Sequence, residues 1–367
     1  MPILLPHAAL LAAALGMALP SASLDRVWVG PMPFVEGRTL RPDFFSTLTN
    51  PAAWPTVLAR ADVFKSYLMV LPSDALEGKT VPQLSDDDLA RLAKLFRDRH
   101  IKIAFEVGGL RFPADKIPEH PGQYTADSEL HHLRRWLDAG GTIDYLTTDH
   151  AVMGNVGAYY VNPALKPPPP LTFERALDEQ AEYFAIVSKA IPGVKLGAIE
   201  SLGFWEVEGD GGKVFHRTVP ALPEWRFDAY LDALLAAMKR HGVTLDHFHI
   251  DFGYEGVQYD GGGAGLNFGR ILAVEKCCHS RGVKTGVIFN AFHNQAAQPI
   301  DPAQASREAH DHTLAYFRGY MAAGGTADNL VLQCWHPYPD QTGPEDSPRA
   351  TLNIARDIIA DPSFPTR

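Results

Sequence analysis

The chain reads as an α/β protein, a single (β/α)8 TIM barrel with long loops after strands 3, 4, 5 and 6. Three observations lead there. Eight short apolar runs, each closing on a polar or aromatic residue, recur at 26–32, 63–71, 101–107, 143–149, 194–200, 245–252, 283–290 and 329–335. A helix-like segment follows each run, so successive strands pair in parallel. The segments after strands three to six are long (108–125, 150–171, 201–225 and 253–266), whereas returns such as His100, 141–142 and Gly282 are short. That asymmetry suits a fold whose substrate loops follow the C-terminal ends of its strands.

Taken in order, each run has a face for the barrel and a face for the helices, because strand side chains alternate. Counting by two from the polar residue that closes each run gives the expected inward set. Strand two offers Lys65 and Tyr67, strand three Glu106, strand four Asp149 and strand five Glu200. Strand six offers His247, His249 and Asp251, strand seven Asn290, and strand eight Gln333 and Trp335. The opposite faces carry Phe64 and Leu68, Ile103 and Phe105, Phe248 and Ile250, and Leu330 and Leu332, a greasy surface for helices. A minimal barrel needs about 250 residues, so the 367 present leave room for loops without a second domain.

Composition narrows the partners. The net charge is −10 and no Lys/Arg block stands out, so nucleic acid, which needs concentrated positive surface, is not expected. The three cysteines give no disulfide framework: Cys277 and Cys278 are adjacent on the sixth helix, and Cys334 lies on the outward face of strand eight. They read as small buried hydrophobes. No GxSxG elbow, P-loop, HExxH or zinc-finger spacing occurs, which removes the usual support for serine hydrolase, nucleotide-binding and zincin chemistry. The glycine-rich 260–265 lacks dinucleotide spacing and reads as a loop in the mouth, and 167–170 as a stiff proline segment.

Ionisable groups are costly inside a barrel unless paired, and this fold does its chemistry at the C-terminal strand ends. Glu106, Asp149, Glu200 and Asp251 together therefore read as an active site. Aromatics follow the same ends: Trp335 beside His336 and Tyr338, Phe204 and Trp205, Tyr254 and Tyr259, Tyr159 and Tyr160. Flat apolar rings beside carboxylates and amides suit a sugar, whose C–H face packs on aromatics while its hydroxyls take hydrogen bonds. Packing of loops onto the barrel is the alternative use of those rings.

In these features, and in the stretch 333–339 with Pro344 and Glu345 beyond it, the chain resembles the TIM-barrel glycoside hydrolases in the broad sense. Their largest clan ends strand four with Asn-Glu and strand seven with Glu. Here those places hold Thr148-Asp149-His150 and Asn290-Ala291-Phe292, so that mechanism does not carry over. Another clan, with an aspartate nucleophile after strand four and an aspartate acid/base after strand six, is closer: 143–149 resembles its nucleophile strand and Asp251 stands at the matching end of strand six. The resemblance implies a glycosidase of oligosaccharides or glycosides, with no cofactor.

Glycosidic cleavage needs one carboxylic acid and one carboxylate. Asp149 is assigned as nucleophile or base and Asp251 as acid, with Glu200 the substitute for either. Lys65, Tyr67, Glu106, His150, Trp205, His249, Tyr254, Glu255, Asn290, Gln333 and Trp335 are expected to bind substrate or tune the acid. Asp144, Glu206, Glu208, Glu255 and Asp260 also lie near the mouth by sequence, Glu255 on what reads as a mobile loop. A metal-dependent sugar isomerase, epimerase or lyase is the rival, with Glu106, Glu200, His249, Asp251 and His293 holding one divalent ion and Lys65 as acid or base. A non-catalytic glycan-binding barrel is the third reading; unused inward carboxylates count against it.

Residues 1–22 stand apart from the barrel at 23–367. An apolar stretch at 10–19 followed by Pro20, Ser21, Ala22 and Ser23 is too short to span a bilayer and resembles a secretory signal peptide, although its start carries no Lys or Arg. The expectation is a periplasmic or secreted protein with no membrane anchor once processed. N-terminal sequencing of the exported protein should begin at Ser23 or Leu24; an intact Met1 in a cytosolic product would overturn it.

Overall fold

The computed structural model describes residues 26–35, 39–71, 84–112, 116–161, 171–207, 225–262, 265–291 and 301–365. The signal-peptide assignment, Glu208, the 167–170 proline segment and His293 lie outside them. Eight parallel strands close into a barrel: β1 (Val27–Pro31), β2 (Val63–Tyr67), β3 (Lys102–Val107), β4 (Tyr145–Asp149), β5 (Lys195–Ser201), β6 (His247–Asp251), β7 (Lys284–Phe289) and β8 (Asn329–Cys334). β1 pairs with both β8 and β2, which completes the ring. Each expected run contributes one strand, so the (β/α)8 reading holds. No helix among the described residues is long and apolar enough to cross a membrane.

Helices follow each strand: α1 (Phe44–Leu48) and α2 (Pro55–Arg60), α3 (Asp86–Asp98), α4 (Pro121–Asp138), α5 (Ala151–Val161) and α6 (Phe173–Ala190), α7 (Phe227–Arg240), α8 (Tyr254–Asp260) and α9 (Gly269–His279), α10 (Pro302–Ala322) and α11 (Thr351–Ala360). Their starts carry local signals. Ser85 and Asp88 form a reciprocal capping box on α3, Thr172 caps α6, and Asp301 before Pro302 caps α10. The apolar faces meet the outward strand residues in one continuous core that includes Phe64, Ile103, Phe105, Phe248, Ile250, Leu330 and Leu332.

The inner core is separate and small: Trp28, Val63, Ala104, Tyr145, Ile199, Ile288 and Val331. Trp28 fills its centre, 4.6 Å from the Tyr145 ring and 4.7 Å from the His249 ring, centroid to centroid. Glycines on neighbouring strands make room for the two histidines. A Cβ on Gly197 would stand 2.0 Å from His247 Nε2, and one on Gly286 would stand 2.5 Å from His249 Cδ2. Large rings on β6 are therefore matched by absent side chains on β5 and β7, as close packing inside a barrel demands.

Three sequence expectations change. The run 63–71 is a strand only to Tyr67, whose β3 partner is Glu106; Leu68–Val70 form a 3-10 turn that is apolar because it packs under helices. Residues 254–260, read as loop, form α8, so Glu255 sits in a helical first turn. Asp144 is at the opposite end of the barrel from the mouth, where its carboxylate accepts the Ile103 N–H at 2.9 Å.

Gly197→Ala should displace the His247 ring and cost about 1–3 kcal/mol, read as a lower urea midpoint with unchanged slope. An unaltered midpoint would mean that the interior has slack there.

Candidate active site

The C-terminal mouth is organised around Lys65, whose side chain is 0 % exposed. Its ammonium donates to Gln333 Oε1 at 2.6 Å and pairs with Glu106 Oε2 at 2.8 Å. Gln333 Nε2 in turn donates to Glu106 Oε2 at 2.8 Å and to the Tyr67 hydroxyl at 2.7 Å. Gly30 on the strand between them permits this approach, since a Cβ there would lie 3.1 Å from the Lys65 carbonyl oxygen. Four residues assigned to substrate are thus mutually satisfied. Lys65 and Gln333 are sealed beneath, and Glu106 keeps a partly open edge toward the mouth.

Beside this network stand two carboxylates with His150 between them. His150 Nδ1 lies 2.5 Å from Asp149 Oδ1, its Nε2 accepts the Ser201 N–H at 2.9 Å, and that same nitrogen is 4.0 Å from Asp251 Oδ2. The residue has a left-handed backbone, φ 49°, which is uncommon outside glycine and concentrates where structure is over-determined. Arg111, from the loop after β3, brings Nη2 to 3.9 Å from Asp149 Oδ2.

The surroundings of the two acids push them in opposite directions. Burial pushes Asp251 up to about 7; the charges of Asp149 and Glu106 add to this, while His150 and Asn290 oppose it. Burial also acts against the Asp149 charge, but His150, then Arg111 and Lys65, outweigh it and hold the group below the ordinary carboxylate range. Burial disfavours the His150 imidazolium, whereas Asp149 first, then Glu200 and Asp251, favour it. The hydrogen bond decides between them: the Ser201 N–H, 2.9 Å from Nε2, is satisfied only while that nitrogen keeps its lone pair, so the ring is neutral with its proton on Nδ1.

Several assignments are corrected. Glu200 faces the helices: the register puts Ile199 beside Asp149 and Ser201 beside Asp251, so Gly197, Ile199 and Ser201 form the inward set of β5. Its carboxylate accepts from Trp205 Nε1 at 3.4 Å and the Tyr230 hydroxyl at 3.3 Å, and burial pushes it up to about 7. Trp205 is fully buried, stacked on Tyr230 with centroids 4.3 Å apart, and is packing rather than an open platform. Glu345, part of the stretch that carried the resemblance, accepts the Thr56 and Val57 N–H groups at the start of α2 and so caps that helix. Asp260 is tied to Arg270 at 3.0 Å, and Glu206 lies on a bridge to Arg226.

Other residues keep positions at or near the rim. Trp335 is half-buried against His336, ring centroids 4.6 Å apart. Tyr254 is half-buried and stacks flat on His312 at 4.2 Å. Asn290 follows β7 directly and is buried; Glu255 is half-buried. His249 is fully buried against Trp28, too deep for substrate, and burial holds it neutral. Glu106, Glu200, His249 and Asp251 do not bring three ligand atoms within 4.8 Å of one another; the one His/Cys/Asp/Glu group among the described residues that does so is His120, Glu179 and Glu182 on the outside of the barrel.

Sequence reasoning missed Arg111, the Ser201 N–H and Arg41. A long loop after β3 was the only signal for Arg111. Arg41 is buried and donates to the carbonyls of Pro339 at 2.5 Å, His336 at 3.2 Å and Pro337 at 3.3 Å. It thereby clamps the segment that carries Trp335.

No family model matches the chain, and no curated protein matches it. Among solved structures it is similar to a glycoside hydrolase family 10 endoxylanase retrieved from a sugarcane soil metagenome, with 10% identity, 92% of this chain and 98% of that chain covered, and a TM-score of 0.48. A psychrophilic family 10 endo-β-1,4-xylanase aligns with 12% identity over 90% and 96% of the two chains, TM-score 0.47. A D-psicose 3-epimerase aligns with 9% identity over 91% and 97%, TM-score 0.44. Likeness at this level carries no reading of the site, which rests on its own geometry.

Lys65→Met should cost about 3–5 kcal/mol in chemical denaturation, because it strands Glu106 and leaves Gln333 without its donor. A loss below about 1 kcal/mol would show that the network is not a structural keystone.

Proposed function

We propose that the chain is a glycoside hydrolase in which Asp251 protonates the departing oxygen and Asp149 activates water or attacks the sugar. The observation that carries this is the placement of two carboxyls either side of His150, Asp149 Oδ1 2.5 Å from Nδ1 and Asp251 Oδ2 4.0 Å from Nε2, in surroundings that push Asp251 up to about 7 and hold Asp149 low. Environments that drive two acids apart assign the proton donor and the ionised partner. Asp251 is 11 % exposed and Asp149 29 % exposed at the side chain, so the acid is the drier of the two. The half-buried Trp335 offers the ring face for a sugar, and Glu106 the partly open acceptor for a hydroxyl. Export through residues 1–22 and an oligosaccharide or glycoside substrate belong to the same proposal.

The test is hydrolysis of a panel of aryl glycosides and oligosaccharides by the purified protein. Asp149→Asn and Asp251→Asn should each lower kcat by 10³-fold or more with the unfolding midpoint retained. In the wild type kcat/KM should fall as pH rises through about 7, since the acid must be protonated, and the anomer first released reports whether Asp149 activates water or attacks. Turnover undiminished in both variants would remove the assignment.

A further inference from the structure

His150 carries more than a contact with substrate. Its ring is held at both nitrogens, by the Asp149 carboxylate at Nδ1 and the Ser201 backbone N–H at Nε2, and its backbone is left-handed, φ 49°. Both nitrogens are occupied within the protein, so neither is left for a sugar hydroxyl. The backbone donor dictates which proton the ring carries. Ser201 N–H at Nε2 requires a lone pair there, and the remaining proton then sits on Nδ1, directed at Asp149.

The ring therefore treats the two acids unequally. Asp149 receives an N–H at 2.5 Å, whereas Asp251, 4.0 Å from Nε2, faces a nitrogen whose lone pair is already taken. We infer that His150 is a positioning residue, locked by Ser201 so that it donates to Asp149 and not to Asp251, and that this lock keeps the two carboxyls in their separate roles. The inference rests on the hydrolase reading for those roles, although the lock itself is independent of substrate.

The groups facing the pair come from every neighbouring strand. Lys65 and Glu106 stand on β2 and β3, Arg111 on the loop after β3, Glu200 behind β5, and Asn290 after β7. Lys65 is already engaged by Glu106 and Gln333. Arg111 approaches Asp149 only to 3.9 Å with a side chain 60 % exposed, where screening is strong. His150 is the close donor.

The experiment follows the carboxyl carbons of the full-length processed protein, labelled with [13C]aspartate, across pH without substrate, with Asp149→Asn and Asp251→Asn supplying the assignments. In His150→Ala the Asp149 midpoint should rise by about one unit or more. In His150→Asn it should stay within a few tenths of wild type, because asparagine tolerates the left-handed backbone and its amide can donate to the same carboxylate. If a substrate has been found, the acid limb of kcat/KM should move with the Ala variant and return with the Asn variant. An unmoved Asp149 midpoint in a folded His150→Ala protein overturns the inference. A moved midpoint in a protein that hydrolyses no glycoside upholds it while defeating the hydrolase reading.

Discussion

A lysine with no solvent contact constrains everything around it. Burying an ammonium is unfavourable by several kcal/mol unless good acceptors surround it, and Lys65 meets that demand with Glu106 and Gln333. Those partners come from β3 and β8, on either side of β1 and β2, so the pairing works only when the barrel has closed. Gly30 on β1 gives the space. The same network orients the Glu106 edge toward the mouth and sets a fixed positive charge near Asp149. Stability and site chemistry share these atoms.

The second constraint is strand parity. Eight strands in register place alternate residues in layers, and a layer can hold only so much volume. His247 and His249 fill theirs because Gly197 and Gly286 have no side chains. One layer higher, Ser201, Asp251 and Asp149 crowd around His150. Glu200 falls on the other face, where Trp205 and Tyr230 satisfy it. A carboxylate behind the sheet influences the site through its field, but it cannot touch a substrate there.

His150 concentrates the functional question. It combines an uncommon backbone conformation, two hydrogen bonds to protein and a position between two acids that their surroundings push in opposite directions. Each alone has ordinary explanations. Together they describe a ring whose proton is placed by the main chain of the neighbouring strand, which is how a protein can hold two similar carboxyls in different states.

Eight apolar runs with intervening helical segments, long loops on one side and short returns on the other, determine the (β/α)8 architecture, because side-chain periodicity and right-handed parallel crossovers leave few alternatives. The same reading put Lys65, Glu106, Asp149, Asp251 and Gln333 on the inward faces of their strands, as the register has them, since period-two alternation is local. It misplaced Glu200 by taking the last polar residue of a run as inward, when β5 continues to Ser201 and register with β4 and β6 sets the face. Trp205 was legible as an aromatic after β5 but not as buried, because only packing against Tyr230 and Trp225 decides that. Arg111, Arg41 and the Ser201 N–H act across distances that no sequence spacing encodes. Local chemistry and periodicity settle which strand a residue is on; which groups meet, and so which acid keeps its proton, is decided by the closed barrel that brings the strands together.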